Sequence, residues 1–164
     1  MLGDCLERMK EIDDGSVDLT VTSPPYDNLR TYNGNNALWG EHVWKAVIKD
    51  LYRVTKDGGV VVWVVGDATI KGSETGTSFR QALHAIDCGF RLHDTMIWNK
   101  GETNFPDKNR YQQAFEFMFV LSKGAPNAAD LIADRPSSSF GRLRIGTDRS
   151  ADGSTRKSYT KPVQ

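Results

Sequence analysis

Thr22-Ser23-Pro24-Pro25-Tyr26 is the stretch of this chain whose residue types and spacing can do chemistry. Two successive prolines hold two φ angles at about −65°. The residue before a proline is kept out of the helical region. Ser23 and Pro24 are therefore stiff, and a hydroxyl and a carbonyl oxygen can face a cleft beside the Tyr26 ring. Two fixed acceptors next to a stacking platform suit one problem well. An exocyclic amine on a nucleobase is a poor nucleophile, because its lone pair is delocalised into the ring. Acceptors that each take one N–H favour a pyramidal nitrogen with its lone pair free, and fixed acceptors do so without reorganising. Tyr26 would stack on a base turned out of a duplex. The plainer alternative is a strand-ending turn with a surface tyrosine; a serine at the acceptor position, directly after an apolar strand, favours the chemical reading.

The flanking sequence predicts the elements that hold this turn. Asp4 to Ile12 reads as a short helix capped by Asp4, with Leu6, Met9 and Ile12 on one face. Val17 to Thr22 alternates and is β-branched, as a strand should be. A polar loop, Asp27 to Asn36, leads to a helix over Leu38 to Thr55 whose apolar face is Val43, Val47, Ile48, Leu51 and Val54. Asp57-Gly58-Gly59 stops that helix. Val60 to Val65 is continuously apolar, the pattern of a strand covered on both faces. After a loop from Lys71 to Thr77, Phe79, Ala82, Leu83 and Ile86 mark a further helix closed near Gly89. Arg91 to Asn99 and Phe115 to Leu121 are two strands with no helix between them. Alternating strands and helices predict an α/β fold with a mostly parallel sheet, an antiparallel edge hairpin and helices on both faces. Ligands of such sheets sit at the carboxyl ends of the strands, where Ser23 to Tyr26, Gly66-Asp67 and Asn99-Lys100 fall.

Composition narrows the function. Of 164 residues, 38% are hydrophobic and 26% charged, which supports a packed core. No apolar run approaches the roughly 20 residues of a membrane helix. Met1 to Cys5 lacks the basic and apolar parts of a secretory signal, so no membrane association and a cytoplasmic setting are expected. Cys5 and Cys88 cannot form a disulfide framework, and His42, His84 and His93 have no metal-ligand spacing, so no metal is expected. The zinc deaminase signature, the P-loop and the dinucleotide glycine fingerprint are absent. Formal net charge is zero, but Ala133 to Gln164 has seven basic and three acidic residues, a net +4. That tail is either a solvated end or an arm that neutralises phosphates. The four tryptophans, Trp39, Trp44, Trp63 and Trp98, read as packing residues.

Val21-Thr22-Ser23-Pro24-Pro25-Tyr26 resembles the catalytic motif of the amino-group DNA methyltransferases, which modify the N4 amine of cytosine or the N6 amine of adenine. The resemblance extends along nearly the whole chain. Leu2-Gly3-Asp4-Cys5-Leu6-Glu7 is similar to the segment that contacts the cofactor's adenosine end. Leu51 to Gly59 is similar to the turn that follows the catalytic motif. Ile97 to Lys100, Arg110-Tyr111 and Glu116 to Lys123 are similar to a late hairpin, and Arg135 to Lys157 to the start of a target-recognition region.

The resemblance implies a partial Rossmann-like methyltransferase sheet over residues 1–131, then a basic, flexible start of a recognition region over 132–164. It implies S-adenosylmethionine as cofactor and double-stranded DNA as partner. Ser23, Pro24, Pro25 and Tyr26 would be catalytic, Asp4 and Thr22 would face the cofactor, and Tyr26, Lys100 and Arg110 the DNA. Asp4 is equally a helix cap, and Lys100 and Arg110 are equally solvated charges; Asp67 could line the cleft, but a turn aspartate is the commoner case. Serine preceded by threonine resembles the N4-cytosine subgroup more than the adenine one. Two other readings stand beside it: a methyltransferase of the same fold acting on RNA or a protein amide, and a non-catalytic DNA- or partner-binding remnant.

The family's permuted class places a Phe-x-Gly-x-Gly cofactor loop after the recognition region, and no such loop occurs here. The expectation is therefore the front part of a longer enzyme. Its sheet edge beside Ser23 would be covered by a complementing C-terminal half or by a second copy. The isolated chain is expected to bind S-adenosylmethionine weakly or not at all.

Overall fold

The computed structural model describes residues 2–26, 39–101, 109–111, 113–127 and 144–160. The predicted loop from Asp27 to Asn36 and the start of the following helix at Leu38 lie outside them, as does the boundary at 131/132. The chain divides into two compact units, Met1–Ala128 and Ala129–Gln164.

In the first unit, helix α1 (Cys5–Met9) is shorter than predicted. Asp4 caps it, its Oδ1 accepting from the N–H groups of Leu6 at 2.9 Å and Glu7 at 3.4 Å. Strand β1 runs Val17–Thr22. Helix α2 (Glu41–Val54) buries Trp44, Val47, Ile48, Leu51 and Val54. The glycine pair does not stop this helix. It ends at Val54, where Thr55 leaves the helical region and its Oγ1 donates to the Leu51 carbonyl at 2.6 Å. Gly58 and Gly59 instead lie inside β2 (Thr55–Val65). At Gly59 a Cβ would meet the Lys56 carbonyl oxygen at 2.8 Å and that of Asp18 at 3.0 Å, so the glycine permits close approach of β1 to β2.

Two short strands, β3 (Thr69–Ile70) and β4 (Ser73–Glu74), form a hairpin that starts just before the predicted loop and runs into it. Helix α3 spans Thr77–Asp87, followed by β5 (Arg91–Asn99) and β6 (Phe115–Ser122). The described strands β1, β2, β6 and β5 form one sheet in that order. β1 is parallel to β2, while β6 is antiparallel to both β2 and β5. The last two strands pair as expected, but the sheet is not mostly parallel. The reversed strand lies inside rather than at the edge, and turns two of the three ladders antiparallel.

The helices do not cover both faces of the described sheet either. Residues of α2 and α3 share one core cluster with Val61, Trp63, Val65, Phe119 and Leu121, and Leu6 and Met9 of α1 pack against it. Strand register places Leu19, Val21, Val60, Val62, Met118 and Met96 on the opposite face. No described helix packs there, and Leu19 and Val21 are 60% and 64% exposed.

The third helix is also rotated from its predicted face. It buries Ser78, Gln81, Ala82 and Ala85, while Phe79, Leu83 and Ile86 are exposed. Two polar residues face inward because each has a partner there. Trp63 Nε1 donates to Gln81 Oε1 at 2.7 Å, and Ser78 is bonded to Asp67 through both its N–H and its hydroxyl. Trp44 and Trp63 are core residues as expected, whereas Trp98, on edge strand β5, is 58% exposed.

In the second unit, β7 (Arg144–Arg149) and β8 (Thr155–Thr160) pair as an antiparallel hairpin. Arg149, Arg156 and Lys157 are exposed on it. No described helix is long and apolar enough to cross a membrane.

Candidate active site

The turn after β1 sets the site. β1 carries Thr22 to its end, and the two prolines forbid further ladder bonding. Pro24 is buried, Pro25 and Tyr26 are half-buried, and Ser23 is exposed. The turn is thus anchored by a proline while Ser23 stays exposed. Ser23 Oγ lies 2.6 Å from Tyr26 Oη. Tyr26 Oη donates to Glu116 Oε2 at 2.8 Å, and Lys100 Nζ donates to Glu116 Oε1 at 3.1 Å. Glu116 projects from β6 with its side chain 17% exposed. A Cβ on Gly66, just past β2, would sit 3.7 Å from both Tyr26 Cδ2 and Glu116 Cγ. Three strand ends therefore meet around the tyrosine.

Beside the turn lies a cavity of about 330 Å³ lined by Cys5, Met9, Thr22, Ser23, Pro24 and Trp39, among others. The Trp39 Nε1 is buried and has no hydrogen-bond partner among the described residues. A mostly apolar cavity with a few polar groups in its wall suits a flat heteroaromatic ligand.

The predicted site residues separate into groups. Ser23, Tyr26 and Lys100 belong to one hydrogen-bonded network, and Thr22, Ser23, Pro24 and Pro25 line the cavity. Asp4 caps α1, one residue before cavity-lining Cys5. Arg110 is ion-paired at 3.3 Å with Glu74 of β4, and its Nη1 is buried without a partner among the described residues. Asp67 is a scaffold residue. Its Oδ1 accepts from Ser78 N at 3.0 Å and Thr75 Oγ1 at 3.1 Å, and its Oδ2 from the Ser78 hydroxyl. Glu116 was not singled out from sequence. Its signal was there: a lone acid between Phe115 and Phe117 in an otherwise apolar strand. Among the described residues no cluster of three or more His, Cys, Asp or Glu could hold a metal ion.

A mixed sheet bearing a serine–proline–proline–tyrosine turn at a strand end, with a cavity beside it, defines the amino-methyltransferase class. Comparison with known proteins agrees. The family model described as DNA methylase, covering the N6 and N4 enzymes, matches residues 17–161, and the chain belongs to that family. It is 57% identical over 148 residues to the orphan methyltransferase M.BamHII of Bacillus amyloliquefaciens, a match covering 88% of this chain and 54% of that protein. It is 27% identical over 162 residues to the type II methyltransferase M.SmaI of Serratia marcescens, covering 76% and 55% respectively. The chain thus spans about half the length of these relatives. Its fold is similar to that of the cytosine-N4-specific PvuII DNA methyltransferase, with a TM-score of 0.63 at 24% identity, covering 76% of this chain and 49% of that one. It is also similar to a DNA modification methylase of Thermus thermophilus solved with S-adenosyl-L-methionine, with a TM-score of 0.61 at 22% identity, covering 81% and 57%.

Proposed function

We propose that this chain carries the catalytic part of an S-adenosylmethionine-dependent DNA methyltransferase acting on the exocyclic amine of an extruded base, N4 of cytosine by preference. The observation that carries this is the exposed Ser23 hydroxyl, held beside a ring whose own hydroxyl is already bonded to Glu116. Ser23 Oγ and the Pro24 carbonyl accept the two amine N–H bonds, and the rigid turn keeps them in place. Tyr26 stacks on the base. Family membership supports a DNA substrate. Serine after threonine at positions 22–23 supports cytosine.

The cavity beside the turn could take the adenosine end of the cofactor, and Thr22, Cys5 and Trp39 would hold it there, with Asp4 supporting that wall from the α1 cap. When bound, the cofactor supplies the electrophilic methyl group. Residues 132–164 begin the target-recognition region, and the exposed Arg149 and Lys157 of the hairpin neutralise phosphates. Arg110, partly exposed beside its Glu74 partner, is the further DNA contact. Lys100 can add one through the N–H groups not given to Glu116.

The test is transfer of labelled methyl from S-adenosylmethionine to duplex DNA, followed by identification of the modified nucleoside. The chain is assayed alone and with the part of the M.BamHII relative that lies beyond the matched stretch. N4-methylcytosine is the expected product of the complemented reaction. N6-methyladenine would correct the base, and no product in either arm would reject the enzyme reading in favour of a binding role.

A further inference from the structure

We infer that Glu116 is a positioning residue that fixes the direction of the Ser23 hydroxyl, so that an oxygen lone pair rather than the proton faces the incoming amine. The inference rests on the function proposed above. It follows from counting protons along the chain Lys100–Glu116–Tyr26–Ser23. A carboxylate only accepts hydrogen bonds, and a phenol has one proton to give. Tyr26 gives that proton to Glu116 Oε2 at 2.8 Å. The 2.6 Å contact between Tyr26 Oη and Ser23 Oγ must then use the serine's proton. With its only proton turned toward the tyrosine, Ser23 presents lone pairs to the cleft.

The direction matters for the reaction. A serine hydroxyl free to rotate can donate to the amine nitrogen and occupy the lone pair that must attack. A hydroxyl locked as an acceptor takes an N–H instead and frees that lone pair. Lys100 settles which carboxylate oxygen meets the tyrosine. Its Nζ holds Oε1 at 3.1 Å, and an ammonium is a donor only. The β6 position of Glu116, opposite Trp98 in the ladder, keeps the carboxylate at the end of β1 without lining the cavity itself.

Glu116→Gln keeps the shape and reverses the logic. Lys100 takes the amide oxygen, the amide N–H group turns to Tyr26, and the tyrosine proton moves to Ser23. Adding Lys100→Ala lets the amide rotate and return its oxygen to Tyr26. The experiment combines two readouts. The first is 13Cζ-tyrosine NMR of the chain itself, with the Tyr26 resonance among the five tyrosines identified by its loss in Tyr26→Phe. Donation to an anion moves this carbon downfield, so E116Q should move it upfield and E116Q/K100A should move it part of the way back. The second is the complemented methyl-transfer assay. There E116Q should lower kcat by about 10- to 100-fold with KM for DNA little changed, and the double variant should recover part of the loss.

A Tyr26 resonance unmoved by E116Q overturns the inference, and so does a moved resonance with kcat unchanged. Loss of kcat without any recovery in the double variant assigns Glu116 a role by charge alone and also overturns it. If the unaltered chain transfers no methyl to DNA even when complemented, the proposed function fails. The NMR response then still decides whether Glu116 directs the two hydroxyls.

Discussion

Two strand ends of the same sheet each join a carboxylate to a serine, with opposite results. At the end of β2, Asp67 is 6% exposed and Ser78 is fully buried. The aspartate spends both oxygens on Thr75 and on the first turn of α3. At the end of β1, Glu116 reaches Ser23 only through the Tyr26 hydroxyl, and the serine stays exposed. A carboxylate bonded straight to a helix start closes a structure. One that acts through an aromatic hydroxyl can orient a group and still leave it open to a ligand. Sequence position cannot tell these apart, since both acids lie near strand ends.

Substitutions at the two ends should therefore separate activity from stability. The largest effect expected is on turnover. Tyr26→Ala should lower complemented methyl transfer per folded molecule by about 10- to 100-fold, the loss of one base-stacking contact. Asp67→Ala should do the opposite. It strips a cap and leaves buried Ser78 groups unsatisfied, costing about 2–3 kcal/mol in denaturant unfolding, while the rate per folded molecule is retained. An Asp67→Ala variant as stable as the parent would break the contrast.

Gly59→Ala tests the scaffold from the far end of β2. A Cβ pressed at 2.8–3.0 Å against two backbone carbonyls should cost about 1–3 kcal/mol by the same measurement. The smallest effect expected is chemical. Cys5 is exposed, whereas burial, assisted by the Asp87 carboxylate, pushes the Cys88 thiol above its usual range. Fewer Cys88 thiolates form at a given pH, so Cys88 should alkylate more slowly than the exposed Cys5 near pH 8. Equal rates would contradict it.

Much of this arrangement was legible from residues. β1 and β5 match their predicted bounds because alternation and proline or polar boundaries are local signals. The turn after β1 was legible because proline restricts the backbone wherever it occurs. What failed depended on distant partners. The face of α3 was misread because apolar Phe79, Leu83 and Ile86 share a helical spacing, while Gln81 turns inward to a tryptophan 18 residues away. Asp57-Gly58-Gly59 read as a helix stop because glycine is usually a breaker, but at Gly59 it answers a close approach from β1. The strand order escaped because β6 inserts between β2 and β5, a choice made by the sheet and not by any one segment. Glu116 escaped for the same reason, since its partner is 90 residues away.

The central claim is that position 23 must accept a hydrogen bond from the target amine. Its most direct test is the single-turnover rate of methyl transfer by Ser23→Ala and Ser23→Asp in the complemented reaction. The account predicts that alanine slows the step by about 100-fold or more while aspartate, which restores an acceptor, recovers a measurable part of it. An alanine variant within a few-fold of the parent rate, or an aspartate no better than alanine, would contradict it.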